Sequence, residues 1–330
     1  MTQITSHERL RFYAMDVQAH SRTFAQDVAS GLAAPQKWLP PKYFYDERGS
    51  HLYEQICNLP EYYPYRAERD IFIAHATEIH AEIGHLALVE FGSGSAAKTR
   101  HLLGAYERAA RPFIYCPVDI SPTMLQATAE QLLQAYRHIA IHALHADFSG
   151  RPDVVQTLPL ERKALAFFGS SLGNFTREES AEFLRRMAAI MGPEDVFLLG
   201  IDLKKSPDIL VPAYDDAQGV TAAFNLNVLH RINRELGGQF DVQTFEHVAL
   251  YNDEQGRIEM HLRSLKPQHV PIIEIDQVVS FAAGETIHTE NSYKYTVDEV
   301  REFGHHANLV LRRTWFDPQR YFLLALFRPL

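Results

Sequence analysis

Two glycines one residue apart, Gly92 and Gly94, follow an apolar run that ends in Glu90 and Phe91. Ser95, Ala96, Ala97, Lys98 and Thr99 come next and open an amphipathic segment. A strand, a tight turn and a helix start in that order let bare backbone meet a nucleotide-like ligand. The same letters fit three ligands. Gly92 to Ala97 matches a dinucleotide fingerprint with Ala as its third small residue. Continued through Lys98 and Thr99, the segment is one Gly short of a phosphate-binding P-loop. Glu90 just ahead of Gly92 is what a class I S-adenosylmethionine (SAM) site tends to show.

Three further points carry chemistry at the ends of apolar runs. Asp119 can accept both ribose hydroxyls, which serves NAD and SAM alike and disfavours the P-loop. Asp147 can take an adenine amine, with Phe148 as an apolar neighbour. Gly169 leads into Ser170, Ser171, Leu172, Gly173 and Asn174. Four consecutive run-ends bearing Gly or acid in this order favour a SAM site over NAD. Lys98 is expected on a helix surface or beside a cofactor carboxylate rather than as a catalytic lysine.

These residues need a scaffold, and the patterning supplies one. Between about 66 and 204 short apolar runs alternate with helical stretches, which predicts a doubly wound, mainly parallel α/β sheet. Thr176 with Glu179, and Thr296 with Glu299, make capping boxes that start helices. Two terminal strands, 309–316 and 321–327, form an antiparallel hairpin of the kind class I methyltransferases use. The expected fold is therefore a Rossmann-like core over 66–204 and 294–330. A second, substrate-binding domain is expected from 14–65 and 205–293. Its first part reads as one amphipathic helix over 12–32, then a tyrosine-dense block from Tyr43 to Tyr65. Asp215 and Asp216 are placed to cap the helix that follows them, where acids are favourable.

Composition narrows the class. A chain of 330 residues, 46% hydrophobic, can bury a full core. A net charge of −9 argues against nucleic-acid or anionic-membrane binding. No run approaches ~18 apolar residues and the N-terminus lacks an apolar signal region, so a cytoplasmic protein is expected. Cys57 and Cys116 form no CxxC, and the 17 histidines include no HExxH pair, so no metal site is expected and most histidines should face solvent. With no apolar stripe left unassigned, a monomer is expected.

Several segments together resemble the ergothioneine-pathway histidine Nα-methyltransferases. They are the Tyr43 to Tyr65 block, 90–100, 169–174, 213–236, 245–247, 257–262 and 284–292, covering nearly the whole chain from about residue 20. The resemblance implies SAM-dependent transfer of three methyl groups to the α-amine of L-histidine, giving the betaine hercynine. By matching motif, Tyr45, Tyr62, Asn174 and Tyr214 would hold the substrate amine and carboxylate, with Tyr45 and Asn174 nearest the chemistry. Glu290 and Ser292 would read the imidazole, and Met260 and Phe224 would line its pocket. Gly92, Lys98, Asp119, Asp147, Phe148 and the backbone at Gly169 would hold SAM.

The residue types suit that chemistry. Methyl transfer from a sulfonium is an in-line displacement, so positioning a neutral amine matters more than a strong base. Tyrosine rings can accommodate the quaternary ammonium product. Relatives of this fold methylate tryptophan derivatives, and that is the alternative substrate class; Glu290 beside Met260 disfavours an indole, whose apolar edge would leave a buried carboxylate without partners. A binding protein without catalysis has no evident use for a second, zwitterion-shaped pocket.

Overall fold

The computed structural model describes residues 2–14, 23–148 and 152–330. In chain order it forms β1 (Thr2–His7), β2 (Leu10–Ala14), α1 (Phe24–Ala33), β3 (Lys37–Trp38), α2 (Glu47–Cys57) and α3 (Tyr63–Ile83). There follow β4 (Ala87–Phe91), α4 (Thr99–Arg108), β5 (Phe113–Asp119), α5 (Pro122–Ala135), β6 (Ile139–His145), β7 (Lys163–Phe167), α6 (Arg177–Ala189) and β8 (Val196–Asp202). Then come α7 (Pro207–Leu210), α8 (Val220–Leu236), β9 (Phe245–Asn252), β10 (Arg257–Ser264), β11 (Gln268–Ile272), β12 (Gln277–Phe281) and β13 (Thr286–Tyr293). Helix α9 (Val297–His306) and strands β14 (Leu309–Phe316) and β15 (Phe322–Pro329) close the chain.

The chain divides into two compact units. One comprises Met1–Ser21, Pro64–Leu203 and Tyr295–Leu330; the other comprises Arg22–Tyr63 and Lys204–Lys294. The first unit is built on a sheet ordered β1-β2-β6-β5-β4-β7-β8-β15-β14. Strands β6, β5, β4, β7 and β8 run parallel, and β15 is antiparallel to both β8 and β14. This is the class I methyltransferase arrangement, a doubly wound sheet ended by an antiparallel hairpin. Strands β7 and β8 are buried at every position, as helices on both faces of a parallel sheet require. Ile71, Phe72, Leu102, Tyr106 and Leu125 fill the space between helices and sheet with no exposed surface. The hairpin turn is fixed by Asp317, whose carboxylate accepts from the N–H groups of Gln319 at 3.0 Å and Phe322 at 2.6 Å.

One expectation needs correcting. The helix read over 12–32 begins only at Phe24, and Phe12 lies in strand β2, parallel to β6; residues 15–22 of that reading lie outside the described residues. Thr23 and Gln26 make a reciprocal capping box that fixes the start, and an apolar count alone does not register a cap.

In the second unit a sheet ordered β3-β13-β10-β9 stands beside the small β11-β12 hairpin. Helix α8 packs on α2 and on β9. Its first turn is capped by Asp216, whose carboxylate accepts from the N–H groups of Val220 and Thr221 at 3.0 and 2.7 Å. Burial pushes the Asp216 carboxyl up, but these backbone donors outweigh it and hold the group below its ordinary range.

Candidate active site

In the first unit the expected SAM residues sit at the C-terminal ends of four adjacent strands. Asp147 and Phe148 follow β6, Asp119 ends β5, Gly92 follows β4 and Gly169 comes two residues after β7. Gly92 and Gly94 take φ of +68° and +49°, conformations that favour glycine. A side chain at Gly92 would lie 3.4 Å from the Phe148 ring. The Gly94 N–H donates to Asp119 Oδ2 at 2.9 Å and the Ser121 N–H to Oδ1 at 3.0 Å. Each carboxylate oxygen keeps a second lone pair, enough to accept ribose hydroxyls. A bare-backbone cradle beside an acid and an aromatic edge fits the nucleoside of SAM.

Glu90 faces the other way. It is buried behind the loop, where Thr99 Oγ1 and Tyr115 Oη donate to its carboxylate at 2.8 and 2.5 Å, and burial raises its pKa to about 7. It braces strand to helix rather than facing a ligand.

Beyond β7, Gly169 and Ser170 are both left-handed, with φ of +74° and +58°. The strained Ser170 is secured by the Asp202 N–H, which donates to its Oγ at 2.9 Å. The Gly169 N–H donates to Glu68 at 2.9 Å, and the same carboxylate is ion-paired with Lys98. Glu68 is fully buried, and it fits because Gly200 has no side chain: a Cβ there would lie 2.1 Å from its Oε1. Asn174 ends a single helical turn, Ser171–Asn174, that begins just after this strained pair. Sequence reasoning missed Glu68; only its distance in space to Lys98 and Gly169 marks it.

The second unit gathers the aromatic residues. Edge-to-face pairs link Tyr45 to Phe224 (5.6 Å between centroids), Tyr45 to Tyr53 (5.5 Å), Tyr53 to Tyr62 (6.4 Å) and Tyr62 to Tyr214 (6.1 Å). Tyr53, on α2, was not singled out from the sequence. Burial, reinforced by Tyr214, pushes the Tyr62 phenol well above its ordinary pKa, so it stays a neutral hydroxyl. Tyr214 Oη lies 2.7 Å from Ser292 Oγ. Its backbone is held by His247, whose Nε2 lies 2.8 Å from the Tyr214 carbonyl while Asn225 Nδ2 donates to Nδ1 at 2.9 Å. That pairing assigns the hydrogen to Nε2.

A β-bulge decides which face Glu290 occupies. Met260 pairs with Glu290 and Ile258 with Ser292, which puts these side chains on one face of the β10-β13 ladder. The register then shifts, and His261 pairs with His288. The residue left over is the buried Thr289, whose Oγ1 donates to the Met260 carbonyl at 3.0 Å. Without this extra residue strict alternation would put His288 beside Glu290; the bulge sends it to the opposite face. Burial raises the Glu290 carboxyl to about 7, opposed by the positive charge of Lys294.

The opposite face holds Glu259, His261 and His288, with potential ligand atoms within 4.8 Å of one another. Arg257 and Asn252 already donate to Glu259 Oε1 at 2.8 and 2.9 Å, and His261 Nε2 lies 3.1 Å from Oε2. The guanidinium stands where a cation's charge would be needed, and the carboxyl is held at about 2 as these donors outweigh burial. This is an ion-pair network. Among the described histidines His142 and His261 are buried, and His247 and His288 are half-buried.

Comparison with known proteins agrees with this geometry. The family described as "Histidine-specific methyltransferase, SAM-dependent" matches residues 24–329. The histidine N-alpha-methyltransferase of Mycolicibacterium smegmatis is 44% identical over 302 residues, spanning 91% of this chain and 93% of that protein. The ergothioneine biosynthesis protein 1 of Neurospora crassa is 31% identical, over 86% of this chain and 32% of its own length. A 4-dimethylallyltryptophan N-methyltransferase of Arthroderma benhamiae is 29% identical over 88% of each chain. A family match running through the Gly92 loop, the tyrosine cluster and the Glu290 strand settles the assignment: the chain belongs to the SAM-dependent histidine-specific methyltransferases.

Proposed function

We propose that the chain transfers three methyl groups in succession from SAM to the α-amine of L-histidine, ending at hercynine. The observation that carries this reading is the pairing of Glu290 with Met260 on one face, two residues from the hydroxyl pair of Ser292 and Tyr214. An acid acceptor at Glu290 and a hydroxyl donor at Ser292 on an otherwise apolar wall match imidazole, which presents one N–H and one acceptor nitrogen. Tyr45, Tyr62, Asn174 and Tyr214 are assigned to the amine and carboxylate, and Phe224 to the pocket wall with Met260. Gly92, Lys98, Asp119, Asp147, Phe148 and Gly169 are assigned to SAM.

Bound SAM supplies an electrophilic methyl carbon on a sulfonium. The chain's own residues orient the neutral amine, whose lone pair forms the C–N bond as the C–S bond breaks. Each of the first two transfers leaves an ammonium that must lose a proton before the next. After the third no N–H remains, so the series ends at a quaternary ammonium. The tyrosine rings accommodate that cation with no acceptor for a proton it lacks.

No helix among the described residues is long and apolar enough to cross a membrane. A cytoplasmic monomer without a nucleic-acid partner fits the net charge of −9 and the buried Cys57 and Cys116, which form no disulfide. Calorimetric titration in the presence of S-adenosylhomocysteine checks the acceptor. L-Histidine should bind and L-tryptophan should bind at least about tenfold more weakly, the cost of about one lost hydrogen bond to a charged group. Equal or tighter binding of tryptophan would move the chain to the tryptophan-derivative class that its 29% identical fungal relative represents.

A further inference from the structure

We propose that His247 is a positioning residue for the acceptor: its neutral imidazole fixes Tyr214 against the sheet that carries Glu290. The inference rests on the reading that Tyr214 holds the amine and carboxylate of an amino acid. His247 pairs with Leu262 across β9 and β10, and Leu262 lies two positions along β10 from Met260. The three therefore share the face that carries Glu290 and Ser292. Tyr214 is clamped to that face at two points. Its hydroxyl lies 2.7 Å from Ser292 Oγ, and its carbonyl accepts from His247 Nε2 at 2.8 Å.

The second point needs an uncharged ring. Asn225, on α8, has both amide hydrogens in use: Nδ2 donates to His247 Nδ1 at 2.9 Å and to the His261 carbonyl at 3.1 Å. Turning that amide over would set its oxygen against the carbonyl, so its orientation is fixed. The amide keeps this orientation although its buried Oδ1 has no partner among the described residues. Nδ1 of His247 therefore meets a donor and must accept, which leaves the ring hydrogen on Nε2, facing Tyr214. A proton added at Nδ1 would put two N–H groups head to head. Burial holds His247 below its ordinary pKa; His261 on β10 adds to that, while the Tyr214 carbonyl, Asp215 and Asp216 pull the other way.

Tyr214 lies in the turn between α7 and α8, whose backbone bonds are local. The Tyr214 N–H donates to the Val211 carbonyl at 2.9 Å and the Gly219 N–H to the Asp216 carbonyl at 3.0 Å. Those bonds shape the turn, while the bonds to His247 and Ser292 set its distance from the sheet. With the carbonyl bond gone, the phenol can pivot about its contact with Ser292. The end of the site for the amine and carboxylate then loses its register with the Glu290 end. Protonation of His247 in acid has the same effect.

The test measures L-histidine affinity, with S-adenosylhomocysteine present, and SAM affinity for the wild type, His247→Leu and His247→Gln at pH 8 and pH 5.5. At pH 8 His247→Leu should bind histidine about tenfold more weakly, within the range for a buried acceptor stripped of its donor, with SAM affinity changed less than about twofold. A glutamine amide reaches about as far as Nε2 and does not titrate, so His247→Gln should stay within about threefold of the wild type. Between pH 8 and pH 5.5 the wild type should lose about fivefold more histidine affinity than His247→Gln, the worth of about one hydrogen bond. Titration of Glu290 and of the ligand itself is common to both proteins and cancels. Equal pH dependence in the wild type and His247→Gln would overturn the proposal, as would equal losses of histidine and SAM binding in His247→Leu. Should the variants not fold, nitrogen NMR of the wild-type imidazole decides: a neutral ring with its hydrogen on Nε2 is expected at pH 7, and a charged ring or a hydrogen on Nδ1 overturns the proposal. If the wild type binds tryptophan and not histidine, the histidine reading fails as a separate result, and the same comparisons are made with tryptophan, whose amine and carboxylate would meet the same Tyr214.

Discussion

Glu290→Ala should weaken L-histidine binding by about 30- to 150-fold, roughly 2–3 kcal/mol, and leave SAM affinity within about twofold. Glu290 lies in the second unit, opposite Met260, while every residue assigned to SAM lies in the first. Removing the carboxylate takes away the acceptor for an imidazole N–H without touching the Gly92 loop. Glu290→Gln keeps the shape and an acceptor oxygen but no charge, so it should fall between. With its carboxyl raised to about 7 by burial, Glu290 is protonated below that pH and charged above it. Histidine recognition should therefore strengthen as pH rises through 7, and in Glu290→Gln that part of the pH dependence should vanish. Titration calorimetry on wild type and both variants decides it; equal losses of histidine and SAM binding would place Glu290 outside the acceptor site.

Glu68→Ala should damage the other half of the enzyme more broadly. The fully buried carboxylate holds both the Lys98 ammonium and the Gly169 N–H, in the space that Gly200 leaves open. Removing one partner of a buried ion pair costs about 3–5 kcal/mol, because the other charge stays in the interior. The melting temperature should drop by about 5–10 °C and SAM affinity should fall with it, while histidine contacts in the second unit stay intact. Thermal unfolding with and without SAM measures both. A variant with unchanged melting and unchanged SAM affinity would show that Glu68 neither supports Lys98 nor shapes the Gly169 turn.

The contrast between these residues shows what was readable in the chain. The central strands were legible because a strand buried on both faces must be apolar along most of its length, as β7 is after Lys163 and β8 is before Asp202. The capping boxes at Thr176 and Thr296 were legible because a cap is a local pattern. Strand β13 was not, because it is polar along much of its length and its bulge breaks the alternation that marks a strand. Glu68 was invisible for a different reason: its partners Lys98 and Gly169 lie 30 and 101 positions away. Lys294 sits two residues beyond Ser292, and nothing local to it says that its ammonium turns back onto the Tyr214 and Ser292 hydroxyls. The resemblance supplied the names of the acceptor residues; the register of β10 and β13 supplies the reason that Glu290 and Ser292 share a face while His288 does not.

The acceptor and the number of methyl groups it takes are read together in one measurement. The purified protein is incubated with SAM and each proteinogenic amino acid in turn, and product masses are followed to completion. L-Histidine alone should gain methyl groups, one, two and finally three, and the series should halt at the trimethylated betaine. No mass gain on histidine, or accumulation on a tryptophan-type acceptor in its place, would contradict it.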